Sequence, residues 1–135
     1  MLTPYILQPD EGLPEFGSGV KASKNSTGGN LSFMVSKTTG GAPMHVHERE
    51  DEYFFVLAGR LTVTIGEEKS EVGEGGFVFM PRGVPHDWDV IGEEATVILM
   101  TVPAMLEEFL HEYHAAFADP DRRDRVATDF GIRFL

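Results

Sequence analysis

The chain has 135 residues, 41% of them hydrophobic and 10% aromatic, enough to close one core and too few for two independent catalytic domains. It contains no cysteine, which excludes disulfides, thiolate metal sites and thiol nucleophiles and leaves imidazole and carboxylate as the strong metal ligands. Twenty-two acids against eleven bases give a net charge of −11, which repels phosphate backbones and anionic lipid, so neither nucleic acid nor a membrane is an expected partner.

Met1 to Gly12 lacks a basic flank and a long apolar stretch, and it meets acids at Asp10 and Glu11. This predicts no signal peptide and a cytoplasmic protein, and no run approaches the roughly 20 apolar residues that cross a bilayer. Ser23 to Asn30 reads as a loose loop. From residue 1 to about 102, glycines and prolines punctuate short runs of β-branched and aromatic residues. Strands are predicted over Leu31–Lys37, Glu52–Leu57, Leu61–Ile65, Phe77–Met80, His86–Ile91 and Ala95–Val102. Breaks are expected at Ala58-Gly59, at Gly66, at Pro81-Arg82-Gly83 and at Gly92-Glu93-Glu94, with hairpins between neighbours. Seven or more strands of this length suit an all-β sandwich or barrel. After Pro103 the period changes. Leu106, Phe109, Leu110, Tyr113 and Phe117 recur at helical spacing, with Pro103 in the first turn and Asp119-Pro120 as the stop. A second short helix is expected from Asp121 to Phe130, with Gly131 in the cap position and Phe134-Leu135 as a tail. The expected organisation is a β domain over residues 1–102 and a helical extension over 103–135 that packs on it.

The chemistry sits among the strands. His45 and His47 are two apart, so on an extended chain both imidazoles leave the same face about 7 Å apart, which suits two ligands of one ion. Glu52 opens the apolar run Tyr53-Phe54-Phe55-Val56-Leu57 and shares a face with Phe54 and Val56. A carboxylate on the inward face of such a strand needs a partner. If that strand returns beside the His45 strand, Glu52 becomes a third ligand. Glu48, Glu50 and Asp51 fall in the connecting loop and read as solvated charges. His86 follows the rigid turn Pro81-Arg82-Gly83-Val84-Pro85 and begins a strand with Trp88 and Val90 on its face, so it can join the cluster. Arg82 reads as a surface ion-pair partner, and nothing near His111 and His114 completes a metal set.

Two motifs then stand out. The first is Gly40-Gly41-Ala42-Pro43-Met44-His45-Val46-His47 followed by Glu52 and Gly59, and the second runs from Gly75 through Pro81-Arg82-Gly83 to His86, fifteen residues after the first. Together they make the sequence resemble a small single-domain, quercetinase-like member of the cupin superfamily. The lead glycine lies one place closer to His45 than in the usual pattern, and Val90 stands where the family often has Asn. Neither position is a ligand. The resemblance implies a jelly-roll β-barrel, with the one or two C-terminal helices lying outside the core family fold. It implies that His45, His47, Glu52 and His86 hold one divalent metal ion: Fe, Mn, Ni, Co or Zn. The activity it suggests is a metal-dependent dioxygenase acting on a small aromatic or enediol-type substrate, with Glu52 also the catalytic proton acceptor. The alternatives are a small-molecule-binding or sensory module without turnover, and a metal-dependent isomerase or decarboxylase. Phe33 or Met34, Phe54, Phe79, Trp88 and Met100 are candidates for an apolar wall, and a homodimer is expected because exposed sheet edges favour pairing.

Overall fold

The computed structural model describes residues 1–135. In chain order it contains β1 (Val20–Ala22), α1 (Lys24–Thr27), β2 (Ser32–Thr38), β3 (Ala42–His47), β4 (Asp51–Ile65), β5 (Glu68–Val72), β6 (Phe77–Met80), β7 (His86–Val102), α2 (Leu106–Ala115), α3 (Pro120–Asp129) and β8 (Ile132–Phe134). β4 and β7 run the length of the molecule and pair with each other in two stretches. Asp51–Ala58 lies against Thr96–Val102, and Arg60–Ile65 lies against His86–Ile91, with the register shifting between them. The first stretch belongs to a layer ordered β1-β2-β7-β4-β6 and the second to a layer ordered β8-β3-β7-β4-β5. The sheet is jelly-roll-like and not closed, and all-β architecture with C-terminal helices is what the sequence predicts.

The turns expected at Ala58-Gly59 and at Gly92-Glu93-Glu94 are not hairpins, because each lies within one continuous strand. At Gly59 the chain bulges. Its φ of 86° lies in the left-handed region, and a Cβ there would come within 2.8 Å of the Glu94 carbonyl oxygen. A bulge re-aims the strand: the inward residues are Glu52, Phe54 and Val56 before it and Leu61 and Val63 after it, so the parity changes across residues 57–60. The same two strands thereby serve both layers and enclose the core between them.

Four further expectations change. Ser23–Asn30 is not loose: Ser23 caps α1, accepting from the Ser26 N–H while the Ser26 side chain accepts from the Ser23 N–H. Pro103 precedes α2 instead of standing in its first turn, and α2 ends at Ala115, before Phe117. The second helix begins a residue earlier than expected, because Asp119 caps it and Pro120 occupies the position where a missing N–H costs nothing. Phe134 is not part of a free tail but ends a strand, since β8 pairs with β3 through His45↔Phe134 and His47↔Ile132. The C-terminal segment is therefore sewn into the second layer. Met105, Leu106 and Phe109 from the α2 segment, Ala127 from α3 and Ile132 from β8 join Phe54, Val56, Leu61 and Leu99 in one buried cluster. No helix is long and apolar enough to cross a membrane.

Candidate metal centre

His45, His47, Glu52 and His86 are all buried, and one ligand-type atom from each lies within 4.8 Å of the others. The route by which they meet differs from the expected one. β4 does not pair with β3; β7 lies between them and pairs with both, setting His86 beside His45 in one layer while Glu52 faces them from the other. The turn before His86 is tied to the histidine strand, since the Gly83 N–H donates to the His47 carbonyl at 2.8 Å. Arg82 in the same turn bonds Asp51 through its backbone N–H at 2.9 Å and its guanidinium at 3.2 Å, the surface pairing expected of it. That guanidinium holds the Asp51 carboxyl below the usual carboxylate range.

Ring orientation is set by the backbone. The His45 Nδ1–H donates to the Pro43 carbonyl at 2.6 Å, and the His86 Nδ1–H donates to the Val84 carbonyl at 3.2 Å. A carbonyl only accepts, so in neutral rings both protons sit on Nδ1 and both Nε2 atoms carry lone pairs. These lone pairs point into the cluster. His86 Nε2 lies 3.3 Å from Glu52 Oε1 and forms no hydrogen bond, and His45 Nε2 lies 3.2 Å from His47 Nε2. The His86 nitrogen and the Glu52 oxygen are both acceptors and repel at that distance unless a positive charge sits between them, and the His45 lone pair needs either a proton on His47 Nε2 or a cation. A divalent cation bound by nitrogen and oxygen donors meets that requirement, so the donor set fits the ion.

The metal-free balance shows the same demand. Burial alone would suppress charge on His47, but the neighbouring carboxylates of Glu50 and Glu52 outweigh it and raise its pKa to about 9. Burial dominates at His45, with the nearby His86 and His47 adding to it, and lowers its pKa to about 4. Glu52 is deeply buried, which opposes ionisation, yet contacts with His47 and His86 bring it down to about 2. A proton on His47 therefore supplies the positive charge the cluster calls for.

Glu50 is the residue that sequence reasoning misses. Instead of being solvated it is only 4% exposed, with Oε2 3.6 Å from His47 Nδ1. That distance is too long for a hydrogen bond but places a carboxylate behind the ring, on the side away from the cluster. Its only sequence signal is an acid three residues beyond a candidate ligand, and Glu48 and Asp51 beside it behave differently: Glu48 is exposed and Asp51 is held by Arg82.

Three of the four, His45, His47 and Glu52, line the floor of a cavity of about 610 Å³, and His86 lies behind them. Phe54 and Trp88 line it as expected, their rings 5.2 Å apart edge to face. Phe33, Met34, Phe79 and Met100 do not. Met34 packs into the core, and Phe33, Phe79 and Met100 have the parity that turns them to the outer face of the first layer. Most of the remaining wall comes from the C-terminal segment, including Phe109 and Tyr113 of α2 and Phe134 of β8, with Ala42, Pro43 and Leu99 completing it. His114 borders the cavity and His111 packs near Phe16, and neither joins the cluster.

Against known proteins, the cupin domain family matches residues 32–102. The chain is 30% identical over 105 residues to quercetin 2,3-dioxygenase of Bacillus subtilis, covering 73% of this chain and 31% of that protein. It is 26% identical over 109 residues to oxalate decarboxylase OxdC of the same organism, covering 76% of this chain and 28% of that protein. Among solved structures, a cupin-2 domain containing protein from Shewanella frigidimarina superposes with a TM-score of 0.51 at 26% identity, over 60% of this chain and 74% of the other. The chain spans between 28% and 63% of the length of the curated relatives it matches.

Proposed function

The chain belongs to the cupin domain family, and from that premise we propose that it is a metal-dependent oxidoreductase of the dioxygenase type, acting on a small aromatic or enediol-type substrate. His45, His47, Glu52 and His86 hold one divalent ion in this reading. When bound, the ion would supply Lewis acidity toward the oxygens of a chelating substrate. The observation that carries the reading is the convergence of two lone-pair-bearing imidazole nitrogens, a third imidazole and a carboxylate at the base of a cavity with apolar walls, which His45, His47 and Glu52 line.

The chain's own residues divide the remaining work. The carbonyls of Pro43 and Val84 fix the tautomers of His45 and His86. Glu50 stands behind His47 on its Nδ1 side and adds negative charge there. Glu52, which lines the cavity with its oxygens beside His47 and His86, takes the proton of a substrate hydroxyl. The rings of Phe54 and Trp88 and the α2 roof keep water from the reacting face. The similarity to quercetin 2,3-dioxygenase supports the oxidative branch.

The test is an oxygen-electrode assay of protein loaded with each divalent metal in turn, against flavonols, enediols, diketones and catechols. Oxygen uptake that requires both metal and substrate, and that is lost in Glu52→Gln, is the expected result. The similarity to oxalate decarboxylase favours a second, non-oxidative reading. Product formed at the same rate without oxygen would establish that reading in place of the first.

A further inference from the structure

The cavity wall carries a selectivity that the metal cluster alone does not set. Its charged and imidazole side chains lie at two ends, and the Tyr113 hydroxyl and the Trp88 indole N–H are the other polar side-chain groups of the lining. His45, His47 and Glu52 are buried at the floor, and His114, Arg123 and Asp124 border the cavity where Phe117 is 62% exposed. Between them the lining contains no Ser, Thr, Asn or Gln. A ring-lined path joins the ends: His45 lies 5.7 Å from Phe134, and Phe134 lies 5.9 Å from Tyr113. A polyhydroxylated ligand would give up its water along this wall and find few partners, at a cost for each unpaired group. A flat ring system loses nothing there and gains aromatic contact.

The open end supplies charge. Arg123 is the only lysine or arginine among the lining residues. The arginines in ion pairs are Arg60, Arg82 and Arg133, so the Arg123 guanidinium has no carboxylate of its own. It is held instead over the Phe117 ring, 5.4 Å from the centroid, and donates to the Phe117 carbonyl at 3.4 Å. Asp124 is shared with a separate groove along α3 and β8. In a chain of net charge −11, an unpaired guanidinium at the mouth of an apolar cavity is a place for an anion.

We propose that this cavity selects aromatic acids: a one- or two-ring body against the wall, an oxygen substituent toward the histidine cluster and a carboxylate paired with Arg123. The inference rests on the reading of the cluster as a metal-dependent small-molecule site, and it assigns Arg123 as a specificity residue contributed by the C-terminal helices.

The experiment is isothermal titration of the metal-loaded and metal-free protein with three probes: 6-hydroxy-2-naphthoate, neutral 2-naphthol and the sugar acid galacturonate. Wild type is expected to bind the naphthoate more tightly than naphthol and to give no heat with galacturonate. Arg123→Gln should weaken the naphthoate about tenfold or more while leaving naphthol unchanged. Arg125→Gln, which removes an equal charge from the exposed face of α3, should change neither. Galacturonate binding as tightly as the naphthoate, or an unchanged naphthoate affinity in Arg123→Gln, would overturn the proposal. Naphthoate binding that depends on Arg123 in a protein that takes up no metal would retain this inference and remove the metal reading. Metal uptake without naphthoate binding would do the reverse.

Discussion

His47 is the side chain on which the metal-free site balances, because it alone among the three cluster imidazoles has carboxylates at both of its nitrogens. With its pKa raised to about 9 on folding, it adds stability that is complete below its ordinary value of 6.5 and fades as pH climbs through 9. His45 works in the opposite direction. Held near 4, it costs stability as pH falls from 6.5 toward 4, since the unfolded chain takes up its proton first. The metal-free protein should therefore be most stable near pH 6.5. Melting temperatures measured in chelator across pH 4 to 9 should show a maximum there, and His45→Gln should flatten the acid limb. A melting temperature still rising from pH 7 to 9 would contradict the assignment of the proton to His47. Glu50→Gln keeps the size and removes the charge behind His47, so metal affinity should fall by roughly 10–100-fold with the four ligands untouched. A competition titration against a chelator reads that change directly. At this scale the four ligand candidates were legible because His-x-His, the following Glu and the Pro-x-Gly turn before His86 are local patterns. Glu50 was not, because its role depends on which of the three acids between His47 and Glu52 is turned inward.

Among the elements, α2 matters most to the cavity, and two buried polar groups fasten it. Ser32 of β2 accepts from the Met105 N–H at 2.8 Å and from the Leu106 N–H at 3.1 Å, and it donates to Glu107 at 2.7 Å. Glu107 also accepts from the Lys24 N–H at the start of α1, at 2.6 Å. One serine and one glutamate thus satisfy orphan donors at two helix N-termini. Ser32→Ala leaves a buried carboxylate and two N–H groups short of partners, and should cost about 1–3 kcal/mol in urea unfolding. A loss below about 0.3 kcal/mol would mean that the helix is held by its apolar face alone. The sequence located the helical period after Pro103 but not this fastening, which joins residues 75 apart. It also read β4 and β7 as two strands each, because a glycine with positive φ serves a bulge as well as a turn, and only the continuing partner strand decides between them. β8 was missed since three residues carry too little alternation to be seen.

For the whole molecule, the outer face of the first layer remains to be covered. The register aligns Phe33, Met100, Tyr53 and Phe79 in one row across four strands, and Val35, Ile98, Phe55 and Phe77 in the next. No charge interrupts the rows, although the chain carries −11. Tyr53 stacks at 5.1 Å on Phe79, which remains 46% exposed, and Phe77 is 58% exposed. With strands about 4.8 Å apart the two rows extend roughly 14 Å from the first strand to the fourth, a contiguous apolar face of the kind found at interfaces. We propose that a second copy covers it, since two uncharged faces can meet about a two-fold axis while the acids stay outside. Light scattering at micromolar concentration should give the mass of a dimer, and Phe77→Glu combined with Phe79→Glu should give a monomer with an unchanged β spectrum. A monomeric wild type would contradict the pairing.

Metal content decides the central claim. Protein freed of metal, reloaded with a mixture of divalent ions, desalted and analysed by mass spectrometry should carry close to one ion per chain. His86→Ala and His47→Ala should retain little of it while keeping the β spectrum, and His111→Ala should match wild type. A chain that leaves the column without metal, or equal metal in all four proteins, would show that three imidazoles and a carboxylate meet in this fold for some other purpose.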